Sequence, residues 1–241
     1  MTALVVAKRD FSAFLSGYSA WLIMAGLLFL EGLIFYADGL SAGPERLSHE
    51  VVAKFFYYHW GFGVVASVLL SMRTLAEEHR DGTDVLLRTS TGGDGQVVLG
   101  KWLAVMGVLG LFSVFSVYLP LMVYVNGKVS PAHLMVGYGG VLATVSATTA
   151  MGILGSALMR NQLAAGLITG VGIVTLVVAW IAAEVTNPPF ADVLAYSALY
   201  NQHFEPFSDG RVSLGALVYY LSLTALFLLL STRVLDGRRW E

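Results

Sequence analysis

The stretch that decides the fold is Val129-Ser-Pro-Ala-His-Leu-Met-Val-Gly-Tyr-Gly-Gly-Val-Leu-Ala-Thr-Val-Ser-Ala-Thr-Thr-Ala-Met-Gly-Ile-Leu-Gly-Ser-Ala-Leu-Met159, which contains no Asp, Glu, Lys or Arg. A helix needs about 20 apolar residues to cross roughly 30 Å of hydrocarbon, and this stretch exceeds that length. Five more charge-free stretches flank it: Phe11–Leu30, Phe55–Met72, Trp102–Gly127, Asn161–Ala183 and Val212–Thr232. The whole chain follows the same pattern. Of its 241 residues, 56% are hydrophobic and 12% charged, with a mean hydropathy of +0.71. Soluble domains carry about 25% charged residues, so this chain cannot cover a water-exposed surface. The reading is an all-α membrane protein with six transmembrane helices, forming a single transmembrane domain over residues 1–241.

Composition removes other classes. With no cysteine, disulfide scaffolds, thiolate metal sites and cysteine nucleophiles are excluded. A net charge of −2 gives no support for nucleic-acid binding. Lys8-Arg9-Asp10 interrupts the N-terminus, so it does not read as a cleavable signal peptide. Six spans put both termini on one side. Lys8, Arg9, Arg73, Arg80, Arg88, Lys101, Arg160, Arg233, Arg238 and Arg239 fall on that side, against Arg46, Lys54, Lys128 and Arg211 opposite. The excess places both termini in the cytoplasm.

Between the spans, three segments stand out. Residues 2–16 carry Leu4, Ala7, Phe11, Phe14, Leu15 and Tyr18 at helical spacing, with Lys8, Arg9, Ser12 and Ser16 on the other face. That pattern suits a helix lying in the membrane interface, and Gly17 then turns the chain into span 1, roughly 19–37. The outer connection after it, about 38–54, reads as an ordinary loop. Residues 75–96 are too charged to span, yet hold Val85, Leu86 and Leu87 in their middle. Thr83 after Gly82 is a fitting N-cap for a short helix starting at Asp84 and ending before Gly92-Gly93. Residues 184–212, rich in Pro, Tyr, Phe and His, read as a segment packed at the outer interface. Pro120 should kink span 3.

Several motifs point to chemistry that their surroundings contradict. Gly95-Gln-Val-Val-Leu-Gly100-Lys101 meets most of the phosphate-loop expression, but Trp102 stands where a Ser or Thr should hold Mg²⁺. Glu77-Glu78 resembles the paired glutamates of intramembrane proteases, but Gly82 stands where their Arg belongs. His49, His59, His79, His133 and His203 offer no two on one helical face, so zinc is unsupported. Carboxylates near a span are costly and often functional. Glu31 and Glu184 both count out toward outer span ends, where water reaches them, and His59 reads as a helix-start residue near the same interface. Gly166-Leu-Ile-Thr-Gly170, with Gly172, reads as a packing face between spans.

Taken together, the interfacial helix, six spans and charged loop between spans 2 and 3 resemble the permease subunit of ABC-2-type transporters, in particular the gliding-motility-associated permease subfamily. Glu77-Glu78-His79-Arg80-Asp81-Gly82-Thr83-Asp84-Val85-Leu86-Leu87, followed by Val98-Leu99-Gly100-Lys101, is similar to that subfamily's signature. So are Lys8-Arg9-Asp10-Phe11, the outer run His203-Phe204-Glu205-Pro206-Phe207 and the last span around Tyr220–Phe227. Ser90 is followed by Thr91 where the family often has Pro.

The resemblance implies a bacterial inner-membrane permease that has no nucleotide site of its own and is not itself an enzyme. ATP and Mg²⁺ would bind to two copies of a separate cytoplasmic ATPase. The loop 75–96 would be the coupling helix, with Val85, Leu86 and Leu87 filling a groove of that ATPase and Glu77, Glu78 and Arg80 pairing with its rim. A second permease subunit, identical or related, would complete the path in the lipid. Other readings remain at this stage: a haem or cytochrome-assembly permease, a scaffold that turns hydrolysis into mechanical work, or an ion-coupled carrier. The last needs buried charge in mid-span, and the six charge-free windows contain none.

Overall fold

Within lipid a helix is the one open-ended structure that satisfies all of its own backbone polar groups, and each charge-free stretch takes that form. The computed structural model describes residues 3–40, 48–81, 93–126 and 129–238, which contain no strand. α1 (Ala3–Ser16) is a separate helix that ends at Gly17. α2 (Tyr18–Ile34) continues into a π-helical turn, Phe35–Leu40, and the two form span 1. α3 (Ser48–Ser71) is span 2, followed after a tight turn by α4 (Ala76–Asp81). α5 (Asp94–Ser116) and α6 (Tyr118–Asn126) make span 3. α7 (Pro131–Leu158) and α8 (Gln162–Glu184) are spans 4 and 5. Short α9 (Phe190–Ser197) and α10 (Glu205–Ser208) precede α11 (Leu214–Arg238), span 6. Six helices are long and apolar enough to cross a membrane, so this is a multi-pass membrane protein.

Local chemistry explains the boundaries. Ser130 accepts a hydrogen bond from the Ala132 N–H at the start of α7, with Pro131 in the first turn where its missing N–H costs nothing. Asn161 caps α8 in the same way through Leu163. Span 3 breaks at Val117, three residues before Pro120, because a proline there leaves a carbonyl one turn back without its donor. The expected kink is therefore present.

One expectation needs correction. Span 2 does not begin near Phe55; its helix starts at Ser48, so much of the supposed outer loop is helical. The charges His49, Glu50 and Lys54 mark a helix that projects beyond the apolar layer, not a loop. The stretch from Lys54 to Arg73 rises about 28 Å at 1.5 Å per residue, close to the roughly 30 Å of hydrocarbon.

Span 4 is the centre of the bundle. Of its most apolar window 72% is buried, against 22–28% for spans 1, 5 and 6. Polar pairs rather than hydrophobic contrast hold helices together in lipid. Here Thr148 bonds Ser67 of span 2 at 2.8 Å, and Ser146 bonds Thr224 of span 6 at 2.9 Å. Gly152 lies so close to span 2 that a Cβ would fall 1.8 Å from the Ser71 hydroxyl. In span 5, Gly166 faces the Met72 sulfur and Gly172 faces Met151, while Gly170 looks onto open space. The small-residue face is thus a packing face at two of its three glycines.

Candidate functional site

Polar side chains that a membrane protein buries are the ones that need explanation, and they collect in three places. The first is on the side that carries the termini. α1 lies against span 3 because Gly100 has no side chain: a Cβ there would come within 2.6 Å of Val6 and 2.7 Å of the Ala3 carbonyl. This contact brings Asp10 to Lys101. The Lys101 ammonium is only 2% exposed, and it donates to Asp10 at 3.1 Å, to Glu78 at 2.8 Å and to the Thr74 carbonyl at 2.8 Å. All three ammonium donors are therefore used. Arg9 closes the network, at 2.7 Å from Asp10 and 3.2 Å from Glu78. The hydrogen bond to Asp10 outweighs partial burial and holds the guanidinium still more firmly charged.

The same corner contains a second device. Span 2 ends at Ser71, and the N–H groups of Leu75 and Ala76, freed by the turn, both donate to the Ser156 hydroxyl of span 4, at 2.9 and 2.8 Å. Ser156 in turn donates to the Met72 carbonyl at 3.1 Å. Arg73 bonds Glu77 at 3.4 Å and also the Ser19 hydroxyl at the start of span 1. Ala13, Phe14, Ser19, Arg73, Glu77 and Lys101 are among the residues lining a cavity of about 280 Å³ in the elbow between α1 and the spans.

Sequence-predicted residues fall around this corner unevenly. Glu77 and Glu78 lie on α4 and bond within the chain, to Arg73 and to Lys101 and Arg9. Arg80 is on the same helix, its side chain outside the described residues, as are Gly82, Thr83, Val85, Leu86 and Leu87 altogether. Lys8 and Arg9 are exposed, while Phe11 and Phe14 pack against the core. Most of the apolar face that the spacing marks is the docked one: Ala7, Phe11, Phe14 and Leu15 are half-buried, with Val6 fully buried beside them, whereas Leu4 and, at the start of α2, Tyr18 are exposed. Gly95 to Lys101 is continuous helix, and the ammonium that a phosphate loop would need is committed to carboxylates.

The second place is the far side. His203, Phe204 and Phe207 are all buried, in a cap made by α9 and α10. The His203 Nε2–H donates to the Tyr196 carbonyl at 2.8 Å, and the ring stacks on Tyr219 at 3.7 Å. Burial lowers its pKa, the carbonyl bond opposing that only in part. Tyr219 and Tyr220 donate to the Ser197 and Leu199 carbonyls, so span 6 holds the cap down. Helices of eight and four residues are too short to cross a membrane. Glu184 is exposed beside it.

The third place overturns an expectation. Glu31 is 0% exposed, not water-accessible, and His59, also 0% exposed, lies in the middle of α3 rather than at its start. Both stand inside the spans, so buried ionisable groups within the spans do exist. His59 Nδ1 lies 3.0 and 3.2 Å from the two Glu31 carboxylate oxygens, and its Nε2 lies 3.2 Å from the Ser113 hydroxyl. The imidazole stacks on Phe55 and on Phe112, and Tyr138 of span 4 meets it edge-on. Hydroxyl, imidazole and carboxylate follow in the order of a serine hydrolase triad. Acyl transfer also needs an oxyanion site and room for a substrate. Ser113 sits within a continuous helix, and aromatic rings fill the space around His59. The arrangement does not present a nucleophile. Among the described residues no group of three or more His, Asp or Glu side chains could hold a metal ion.

No family model matches this chain, and no curated protein is similar to it.

Proposed function

We propose that this chain is the membrane-spanning subunit of an ATP-driven exporter, moved by a separate ATPase on the side of its termini, with that side the cytoplasm. The resemblance of residues 77–101 to ABC-2-type permeases motivates the reading. One structural observation carries it. The segment that leads into residues 82–92 is bonded to three parts of the bundle at once: to α1 and span 3 through Lys101, Asp10 and Arg9, and to span 4 through Ser156. A push on this segment from outside the membrane would therefore reach several spans together, which rigid-body switching requires. A second reading, an ion-coupled carrier, draws on one observation, the buried Glu31–His59 pair.

The test uses the apolar centre of the loop. Leu86→Asp and Leu87→Asp lie outside the spans, so the bundle should still fold. An unpaired carboxylate in an apolar groove costs a few kcal/mol, and about 1.4 kcal/mol is already tenfold in affinity. Both variants should lose a co-purifying ATPase. Undiminished association by both would remove the loop from the coupling role.

A further inference from the structure

We propose that Glu31, His59 and Ser113 form a proton-binding site inside the membrane, loaded and unloaded from the side opposite the termini. The inference rests on the span geometry alone and does not depend on the ATPase reading.

Depth comes first. His59 lies about 7–8 Å inward of Lys54 along span 2 and about 21 Å outward of Arg73, by the 1.5 Å rise per residue. The pair is therefore within the apolar layer but nearer its far side. Among the described residues, the only hydrogen-bond partner of the Glu31 carboxylate is His59.

Proton number follows from this isolation. With one added proton the pair is net neutral, as carboxylic acid beside imidazole or as carboxylate beside imidazolium. Without it a lone carboxylate remains in a low-dielectric interior, and with a second proton a lone imidazolium; each is strongly disfavoured unless water enters. Ser113 suits both occupancies. When the proton is present, His59 Nε2 carries hydrogen and the hydroxyl accepts. When it is absent and Nδ1–H serves Glu31, Nε2 is bare and the hydroxyl donates. One side chain satisfies the ring in both states, which a purely structural ion pair would not need.

Sidedness follows from what lies along the seam between spans 1 and 2. Outward, the π-helical turn carries Asp38 to Lys54 at 2.5 Å and to the Tyr58 hydroxyl, and the Lys54 and Asp38 side chains are 36% and 42% exposed. Water and exchangeable protons thus come within two helical turns of Glu31. Toward the termini, Leu27, Met24 and Ala20 are all buried and apolar, and Ser19 is about 18 Å away along the helix. Other titratable groups around the pair are Tyr138, from span 4, and the outer trio Asp38, Lys54 and Tyr58. Span 3 contributes the hydroxyls Ser113 and Ser116, the latter bonded to Tyr138 at 3.0 Å, and the Tyr118 phenol, whose oxygen lies beside Gly32 next to Glu31.

The test needs no variant to begin. Dicyclohexylcarbodiimide adds to protonated carboxyls in apolar surroundings, with no leaving group, and the adduct is located by peptide mass. Full-length protein in lipid vesicles sorted for one orientation is treated with it while the pH on each side is set separately. Glu31 should be modified. Stepping the pH on the far side from about 5.5 to about 8.5 should cut the adduct by about tenfold or more, since a single-proton site loses about tenfold occupancy per unit above its midpoint. The same step on the termini side should change nothing. His59→Phe should remove the dependence of the adduct on far-side pH, because the pair that shares the proton is gone. An unmodified Glu31, an adduct indifferent to far-side pH, or one that follows the termini side would each overturn the proposal. So would a His59→Phe protein with an unaltered pH response.

Discussion

Replacing Lys101 with methionine tests whether the buried charges at the elbow hold the molecule together. Methionine keeps most of the lysine stem and its packing but removes the charge and all three donated bonds. Asp10 and Glu78 then face each other with only Arg9 between them. Removing one partner from a buried ion pair costs about 3–5 kcal/mol. Here the Asp10 and Glu78 side chains are 16% and 20% exposed and Arg9 remains, so both water and a second cation lower the figure. The expected loss is about 2–4 kcal/mol. Reversible unfolding in mixed micelles would measure it. Adding Glu78→Gln to Lys101→Met should restore at least about 1 kcal/mol, because that carboxylate no longer needs compensation. A loss for Lys101→Met within about 0.5 kcal/mol of zero would show that the network is solvated and does not tie α1 to span 3.

Three further outcomes follow from other contacts. Ser156→Ala strands the Leu75 and Ala76 N–H groups and should destabilise by about 2–6 kcal/mol, at about 1–3 per unsatisfied donor. Hydrogen exchange at residues 72–77 should speed up, and Ser156→Thr, which keeps the hydroxyl, should reverse much of this. His203 has its pKa lowered by burial, so the unfolded cap binds more protons than the folded one between the folded value and about 6.5. Stability of residues 196–208 should therefore fall as pH drops through about 6.5 and level off below the folded value, with a slope of at most about 1.4 kcal/mol per unit. His203→Gln should flatten that dependence. In this cysteine-free chain, Ser90→Cys and Arg211→Cys should react with an impermeant thiol reagent from opposite sides of the membrane; labelling of both from one side would contradict six spans.

How much of this was legible in the sequence varied with the kind of interaction. The spans were, because hydrocarbon excludes charge over some 20 residues and leaves a one-dimensional trace. The break at Pro120 and the stop at Gly17 were too, since each is a property of one residue's backbone. Lys101 read only as the end of a near phosphate loop, whereas its role comes from Asp10, Thr74 and Glu78, which lie far from it in the chain. Glu31 was misplaced for the same reason. Nothing within span 1 announces that its carboxylate meets an imidazole of span 2, whose other nitrogen meets a hydroxyl of span 3. The one available signal was that Glu31 and His59 are both ionisable groups inside stretches otherwise apolar, at similar distances from the far side. The start of span 2 was missed because charged residues in a helix beyond the membrane look the same as charged residues in a loop.

The most direct test of the central claim is ATP hydrolysis with and without this chain. The protein is purified in lipid alone, then together with the ATPase that accompanies it in native membranes. Alone it should neither bind nor hydrolyse ATP, despite Gly95–Lys101. With the ATPase, hydrolysis should depend on the two being assembled and should collapse with Leu86→Asp. ATP binding by the isolated chain that is lost in Lys101→Ala, or hydrolysis by the partner that is the same with and without this subunit, would contradict it.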